Sequence, residues 1–145
     1  MKIGIGSDHG GFELKEYIKD YLEKEGIEYL DYGTYSEESV DYPDYGKKLA
    51  EAVIAGEVDK GIAICGTGIG ISIACNKVKG IRCALCHDTY SARMSIEHNN
   101  ANMLALGGRV VGKDLALEIV SVWLKAKFEG GRHARRVNKI TAMEE

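Results

Sequence analysis

The segment Lys60-Gly61-Ile62-Ala63-Ile64-Cys65-Gly66-Thr67-Gly68-Ile69-Gly70 joins a short apolar run to a glycine-rich turn. Its first six residues predict a strand, and their unbroken apolar character is typical of a strand buried on both faces of a parallel sheet. The glycines that follow permit left-handed backbone and close approach to a ligand. A helix is predicted next, through about Asn76. The segment therefore predicts a strand–turn–helix unit whose backbone N–H groups form an anion pocket.

Short apolar runs alternate with helical patterns on both sides of this unit. Further strands are predicted over residues 2–7, 27–31, 81–86 and 103–106. Apolar stripes with helical spacing begin at Leu14, Tyr45 and Ala116. Strands that alternate with helices imply parallel pairing through right-handed crossovers. We therefore predict an α/β protein: one three-layer α/β/α Rossmann-like domain over residues 1–145, with a five-stranded parallel sheet.

Composition and charge exclude several classes of protein. The chain has 145 residues, with 19 basic and 22 acidic side chains and a net charge of -3. This balance argues against a nucleic-acid-binding protein, which usually carries a basic excess. No apolar run approaches the roughly 18 residues of a membrane-spanning helix, and the N-terminus lacks the apolar core of a signal peptide. We expect a cytoplasmic protein with no nucleic acid and no membrane as partner.

The four cysteines raise the question of disulfides or a zinc site. A reducing compartment argues against disulfides. Cys83 and Cys86 lie three apart in a predicted strand, so their side chains would point to opposite faces and could not share an ion. We expect no metal site, and we interpret Cys75, Cys83 and Cys86 as core residues. Cys65, at the end of its strand, is either a small buried hydrophobe or a thiolate favoured by the helix N-terminus.

Polar residues concentrate around the ends of the predicted strands, where ligands bind in open parallel sheets. They are Asp8 and His9 after the first strand, Cys65 after the third, His98 and Asn99 before the fifth, and Arg109 after the fifth. We expect all of them on one rim of the sheet. For His87, after the fourth strand, we expect a solvated surface position. Gly4 and Gly6 match the first two glycines of a dinucleotide-binding fingerprint, and Asp31 would be its ribose-binding acid. His9, however, occupies the position of the third glycine.

Two arginines near the C-terminus, Arg132 and Arg136, are four residues apart and would share one face of a helix. Such a pair can hold a phosphate through forked hydrogen bonds. An RNA-binding patch or a solvated helix end would show the same spacing. The acidic excess elsewhere favours a small phosphorylated ligand over a polyanion.

Six motifs in chain order resemble the type B ribose-5-phosphate isomerases, within the wider ribose/galactose phosphate isomerase family. They are Gly6-Ser7-Asp8-His9-Gly10-Gly11, Asp41-Tyr42-Pro43-Asp44-Tyr45, Cys65-Gly66-Thr67-Gly68-Ile69-Gly70, Glu97-His98-Asn99-Asn100-Ala101-Asn102, Leu106-Gly107-Gly108-Arg109 and Arg132-His133-x-x-Arg136. They cover nearly the whole chain. The resemblance implies a cofactor-free aldose–ketose isomerase of the pentose phosphate pathway, which interconverts ribose 5-phosphate and ribulose 5-phosphate.

The resemblance also implies catalytic roles. The cysteine that matches Cys65 moves a proton between C1 and C2, and His98 matches the proton donor for ring opening, with Asp8 and Thr67 assisting. The enediolate would be stabilised by backbone N–H groups of the turn, which comprises Gly66, Thr67, Gly68, Ile69 and Gly70. Another branch of the family uses a glutamate just after the turn as the base. That position is Ile71 here, which places the chain with the cysteine branch.

Substrate-binding roles and the oligomer follow from the same resemblance. His9 and Asn99 would contact sugar hydroxyls, and Tyr42 would line the sugar site. The phosphate would be held by Arg109, Arg132 and Arg136. The family builds its site at a homodimer interface, so we expect a homodimer or a dimer of dimers in which the basic tail, residues 128–145, packs on a partner subunit.

Two other functions stay open at this point. One is an isomerase acting on allose 6-phosphate or galactose 6-phosphate, which only the depth of the pocket would distinguish. The other is a non-catalytic sugar-phosphate sensor on the same domain. The pairing of Cys65 with His98 favours an enzyme, because binding alone requires no proton-transfer pair.

Overall fold

A computed structural model describes all 145 residues. Strands and helices alternate along the chain as the apolar pattern predicts. The strands are β1 (Lys2–Ser7), β2 (Glu28–Asp31), β3 (Lys60–Cys65), β4 (Cys83–Leu85) and β5 (Met103–Gly107). The helices are α1 (Phe12–Lys24), α2 (Tyr42–Ile54), α3 (Ile69–Asn76), α4 (Thr89–Glu97), α5 (Lys113–Lys125) and α6 (Arg132–Ala142), with a 3₁₀ turn over His9–Gly11.

The five strands form one all-parallel sheet in the order β2-β1-β3-β5-β4. The predicted α/β class and the five-stranded parallel sheet are therefore confirmed. Strand β4 is shorter than predicted, because the Arg82 N–H donates to the Asn102 side chain at 2.8 Å instead of to a neighbouring strand. The connection from β1 leads to β2 on one side, and the connection from β2 passes back across β1 to β3 on the other side. The crevice between the carboxyl ends of β1 and β3 is thus a topological switch point.

Alternating residues of the central strands pack against two helical layers. On β3, Ile62 and Ile64 belong to the larger core, which includes residues of α1, α4 and α5. Ala63 and Cys65 belong to the opposite core, formed with α2 and α3. The period of two along a strand therefore places the Cys65 side chain on the same face of the sheet as the helix that follows it.

The C-terminal tail is mostly helical, as its spacing allows. His133 and Val137 are the buried residues of α6, whereas Arg132 and Arg136 are exposed. A carboxylate oxygen of Glu144 accepts from the Gly80 N–H at 2.9 Å, which ties the end of the tail to the turn before β4. None of the helices combines the length and the apolar character that crossing a membrane requires.

Asp31 is part of a buried ion cluster that the sequence pattern does not indicate. The Lys15 side chain is fully buried, and its Nζ lies 2.6 Å from Asp31 Oδ2. Lys19 Nζ lies 2.9 Å from the same oxygen, and the Gly33 N–H donates to Oδ1 at 2.8 Å. Burial alone would raise the pKa of Asp31, but these donors outweigh it and hold the pKa below its usual value. Asp31 is therefore engaged within the chain, which removes the dinucleotide interpretation.

Candidate active site

The thiol of Cys65 lies at the carboxyl end of β3, under the glycine-rich turn. The Gly68 N–H donates to Cys65 Sγ at 3.2 Å. Gly68 has a φ of +77°, and a Cβ there would lie 2.6 Å from Leu85 Cδ1 and 2.8 Å from the Leu106 carbonyl carbon. Only glycine fits this position, so the backbone itself holds a donor on the sulfur. The hydrogen bond fixes the position of the sulfur at the end of β3.

Although Cys65 is only 5% exposed, it lines an open crevice of about 490 Å³. The other lining residues come from β1, the start of α2, the glycine-rich turn, α3 and the turn after β5. They are Asp8, Tyr42, Gly66, Thr67, Ile69, Gly70, Ile73 and Arg109. The crevice lies at the switch point of the sheet and contains most of the residues predicted from the carboxyl ends of β1 and β3. Of the two interpretations of Cys65, its place at this crevice favours the functional one.

The Asp8 side chain, on the opposite side of the switch point, is held by the backbone that follows it. Its Oδ1 accepts from the Gly10 N–H at 2.9 Å and from the Gly11 N–H at 3.2 Å, and so caps the short 3₁₀ turn. Its Oδ2 accepts no hydrogen bond within the chain. A carboxylate that is held by one oxygen and free at the other can exchange a proton with a bound ligand.

The turn after β5 brings a positive charge to the same place. The Gly108 N–H donates to the Cys65 carbonyl at 2.8 Å, and the Arg109 N–H donates to the Gly66 carbonyl at 2.9 Å. The guanidinium of Arg109 lies over Gly66, 3.1 Å from the position that a Cβ would take. Arg109 is exposed and free of ion pairs within the chain, so its charge is available to an anionic ligand.

His9 lines a second crevice, of about 370 Å³, which shares Arg109 with the first. The Val40 N–H donates to His9 Nδ1 at 3.1 Å. Because Nδ1 is an acceptor, the neutral ring carries its proton on Nε2. His9 can therefore donate one hydrogen bond from Nε2 while its ring is held in place.

The surroundings of the glycine-rich turn match the prediction only in part. The ring of Tyr42 lies directly on Gly70, where a Cβ would be 2.5 Å from Tyr42 Cε1, so an aromatic wall next to the turn is present. The turn offers fewer free N–H groups than predicted, since Gly68 donates to Cys65 and Ile69 donates to Thr67 Oγ1 at 3.2 Å. The Thr67 hydroxyl accepts that bond and keeps its own proton for donation.

Four predicted site residues do not reach either crevice. His98 and Asn99 follow α4 and precede β5, so they lie at the amino edge of the sheet, whereas Cys65 lies at the carboxyl edge. Arg132 and Arg136 are exposed on α6. The prediction of a single rim is therefore wrong for His98 and Asn99, because segments before a parallel strand and segments after it lie at opposite edges of the sheet.

His98 instead contacts the start of the C-terminal helix. Its ring stacks on that of His133, with centroids 4.1 Å apart and an interplanar angle of 11°. Glu129 Oε1 lies 3.5 Å from His98 Nε2 and 3.7 Å from His133 Nε2. Burial lowers the pKa of His133, and the neighbouring His98 and Arg132 lower it further. Sequence reasoning gave His133 and Glu129 no role, although their i, i+4 spacing was visible.

The remaining histidine and cysteines are structural. The prediction that His87 is a solvated surface residue is wrong. His87 is half-buried, and its Nε2 accepts a hydrogen bond from the Gly107 N–H, at the end of β5, at 3.1 Å. Cys83 and Cys86 belong to opposite faces of the sheet, as predicted. A hydrogen bond with Cys75, together with burial, raises the pKa of Cys83, and burial raises the pKa of Cys86 to about 11.

Comparison with known proteins finds sugar-phosphate isomerases both by sequence and by structure. The sequence model of the Ribose/Galactose Isomerase family matches residues 3–140. Ribose-5-phosphate isomerase B of Escherichia coli is 55% identical over 144 residues, which cover 99% of this chain and 97% of that protein. D-erythrulose-4-phosphate isomerase of Pectobacterium atrosepticum is 48% identical, over 97% of this chain and 93% of that protein. The structure of ribose-5-phosphate isomerase B of Clostridium thermocellum superposes with a TM-score of 0.98 at 67% identity, over 99% of this chain and 97% of that one.

Proposed function

This chain belongs to the ribose/galactose isomerase family, and we propose that it interconverts D-ribose 5-phosphate and D-ribulose 5-phosphate through an enediolate, with Cys65 as the base. The observation that carries the proposal is the Cys65 sulfur itself, held by the Gly68 N–H at 3.2 Å at the edge of an open crevice. The names of the full-length relatives support a sugar phosphate as the substrate.

In the proposed reaction, the Cys65 thiolate takes the proton from C2 of the open-chain aldose. The C–H electron pair becomes the C1–C2 double bond, and the carbonyl electrons move to O1. The Cys65 thiol then returns the proton to C1. The hydroxyl proton of O2 passes to O1, so that O2 becomes the ketone oxygen and O1 becomes the C1 hydroxyl. No oxidant, reductant or cofactor is required, since one carbon is oxidised as its neighbour is reduced.

Neighbouring groups stabilise the negative charge and move the hydroxyl protons. Free N–H groups of the turn and the first helical turn, including that of Gly70, would face the enediolate oxygens. One such donor is worth about 3–4 kcal/mol when it is aimed at developing charge. The Thr67 hydroxyl can donate, and Asp8 Oδ2 can accept, so this pair suits proton exchange at the oxygens. Arg109 and His9 lie where the phosphate and the sugar hydroxyls would extend along the second crevice.

Ring opening requires a second copy of the chain. His98 is the proposed proton donor to the ring oxygen, yet it lies at the edge of the sheet opposite Cys65. We therefore propose a homodimer in which His98, Asn99, Arg132 and Arg136 of one subunit complete the crevice of the other. The exposure of the two arginines on α6 is compatible with this arrangement.

The test of the base is Cys65→Ala, with Cys83→Ala as the matched control. Cys65→Ala should abolish turnover and the exchange of the substrate C2 hydrogen with solvent, while binding of ribose 5-phosphate stays measurable by calorimetry. Cys83→Ala should retain both, since Cys83 is remote from the crevice. Full turnover in Cys65→Ala would rule out the assigned base. Running the exchange assay over pentose and hexose phosphates also measures which sugar the pocket prefers.

The shared site has its own test, which uses two inactive variants. Cys65→Ala and His98→Gln would each disable every site of their own homodimer. In a mixed dimer, one site receives both defects and the other receives none. Equal mixing after reversible dissociation should therefore restore roughly a quarter of wild-type activity, given random pairing across a two-fold interface. No recovery in dimers shown to be mixed would contradict the shared site.

A further inference from the structure

The hydrogen bonds between β4 and β5 end on a side chain instead of on a strand carbonyl. The last backbone bond of this ladder runs from the Cys86 N–H to the Ala105 carbonyl, at 3.3 Å. In a regular parallel pair, the next bond would run from the Gly107 N–H to the Cys86 carbonyl. The Gly107 N–H donates instead to His87 Nε2, at 3.1 Å. The imidazole of His87 therefore takes the place of a strand carbonyl at the carboxyl end of β5.

The peptide that His87 holds lies directly against the glycine-rich turn. A Cβ at Gly107 would lie 2.6 Å from the Thr67 carbonyl oxygen, and a Cβ at Gly68 would lie 3.0 Å from the Gly107 nitrogen. Neither glycine has room for a side chain, so backbone packs on backbone here. The Gly68 N–H is in turn the donor to Cys65 Sγ, at 3.2 Å. A short series of direct contacts therefore joins the His87 ring to the sulfur of Cys65.

We propose that His87 is a positioning residue of the isomerase, whose Nε2 acts through Gly107 to hold the backbone of the glycine-rich turn against the Cys65 sulfur. His87 lines neither crevice, so it acts on the turn and not on the substrate. A displacement of about 1 Å in a catalytic group can lower a rate by about 10²-fold. The inference rests on the proposed function, because it gives the position of this turn a consequence for proton transfer at Cys65.

The role requires a hydrogen-bond acceptor at the position of Nε2. Because Nε2 accepts, the neutral His87 ring carries its proton on Nδ1. Gly107 is buried, and a buried N–H that loses its partner must move towards water or towards another acceptor. The Thr67 and Gly68 backbone that packs on Gly107 would then move with it. An apolar side chain of similar size at position 87 would therefore fill the space without holding the turn.

The two residues that follow Gly107 have their own attachments, which do not involve His87. The Gly108 N–H donates to the Cys65 carbonyl at 2.8 Å, and the Arg109 N–H donates to the Gly66 carbonyl at 2.9 Å. These bonds keep the Arg109 backbone in place when the acceptor at position 87 is lost. We therefore expect that loss to lower kcat, through the donor on the Cys65 sulfur, more than it raises KM for a phosphorylated sugar.

Three substitutions at position 87 separate the acceptor from the size of the side chain. His87→Gln places an amide oxygen as many bonds from Cα as Nε2 is. His87→Asn has the same amide on a side chain one methylene shorter, which falls short of the Gly107 N–H. His87→Leu fills the space without an acceptor. Glu118→Gln, at an exposed position on α5, is the control. Urea unfolding of every variant identifies any that does not fold; if His87→Leu is one of them, His87→Asn takes its place in the comparison with His87→Gln.

The first experiment measures the contact without reference to activity. Hydrogen exchange of the Gly107 and Gly68 amides is followed by NMR on the full-length chain. Both amides should exchange slowly in wild type, in Glu118→Gln and in His87→Gln. In His87→Asn and His87→Leu both should exchange roughly tenfold faster or more, because the local opening that exposes them becomes easier. Unchanged exchange of the Gly107 amide in His87→Leu or His87→Asn would overturn the contact.

The second experiment measures kcat and KM for ribose 5-phosphate. His87→Asn and His87→Leu should lower kcat by about tenfold and change KM by less than about threefold. His87→Gln and Glu118→Gln should stay near wild type in both constants.

Three results would overturn the positioning role. They are wild-type kcat in folded His87→Leu or His87→Asn, a kcat for His87→Gln as low as that of His87→Leu, and a rise in KM larger than the fall in kcat. The second result would show that the acceptor is irrelevant, and the third would place the effect on substrate binding. A wild-type chain without isomerase activity would overturn the proposed function, while the exchange of the Gly107 amide would still decide the contact with His87.

Discussion

Replacing Asp31 with asparagine should destabilise the protein more than replacing Lys15 with methionine, although the two side chains share one ion pair. The asymmetry comes from burial. The Lys15 side chain is 0% exposed, whereas that of Asp31 is 14% exposed, and Asp31 also accepts from Lys19 and from the Gly33 N–H. Each substitution leaves a different charge behind. The Lys15 ammonium is the more deeply buried of the two, and it keeps only the half-exposed Glu16 carboxylate as an ion partner.

The magnitudes follow from what remains after each change. Asp31→Asn leaves a fully buried ammonium with Glu16 Oε2 at 3.0 Å, on a side chain that is 43% exposed. Removing one partner from a buried ion pair costs about 3–5 kcal/mol. Lys15→Met fills the same space with an unbranched apolar side chain and leaves Asp31 with its other two donors. We expect a cost of about 1 kcal/mol for that loss, comparable to one net hydrogen bond.

Urea unfolding at neutral pH measures both values, at one fixed chain concentration because association would shift the apparent stability. In the Lys15→Met background, Asp31→Asn should cost about 1 kcal/mol, which gives a coupling energy of roughly 2–4 kcal/mol. Lys24→Met, on the exposed end of α1, should change stability by less than about 0.5 kcal/mol. Equal costs for the two single variants, or a larger cost for Lys15→Met, would refute the reasoning from burial.

Three further predictions concern pH, the turn and the phosphate. The pKa of Asp31 is lowered in the folded chain from its ordinary 3.8. The stability that the Asp31 carboxylate contributes is therefore complete above pH 3.8 and is lost as the pH falls through the lower folded pKa. The difference in unfolding free energy between wild type and Asp31→Asn should shrink when unfolding is measured at decreasing pH, and a constant difference would contradict the pKa shift. Gly68→Ala should lower kcat by at least about tenfold, since it strains the φ of +77° and moves a donor from Cys65; unchanged kcat with native circular dichroism would argue against that N–H. Arg136→Ala should raise KM for ribose 5-phosphate far more than for unphosphorylated ribose, whereas the exposed neighbour Arg135→Ala should not, and equal effects on both sugars would remove the phosphate role.

The strand–turn–helix unit around Cys65 was predictable because every signal for it is local. Apolar residues give β3, glycines give the turn, and the order of elements gives parallel pairing. Because the carboxyl ends of parallel strands lie at one edge of the sheet, the sequence also placed Asp8 and Cys65 on one rim. That they share one crevice depends on the pairing of β1 with β3, which joins segments far apart in the chain.

Other features depend on long-range packing and were missed for that reason. The insertion of β5 between β3 and β4 joins segments that are far apart in the chain, and no local signal indicates it. The sequence pattern places Lys15 next to an apolar stripe and predicts that it is solvent-exposed. Its side chain is buried instead, because Asp31 on β2 supplies the counter-charge. His87 reads as a surface residue because its partner, the Gly107 N–H, is on another strand.

The division of the predicted site follows from the geometry of parallel α/β units. A helix returns the chain from the carboxyl edge of the sheet to its amino edge, so residues that end α4 and precede β5 cannot lie beside residues that end β3. A five-residue strand such as β5 spans about 16 Å, which far exceeds the reach of an imidazole. If His98 donates the proton that opens the ring, the partner subunit's His98 must do so at each Cys65, and the reaction then belongs to the dimer. A monomeric variant that opens and isomerises the cyclic sugar at the wild-type rate would require a different donor, from the carboxyl edge itself.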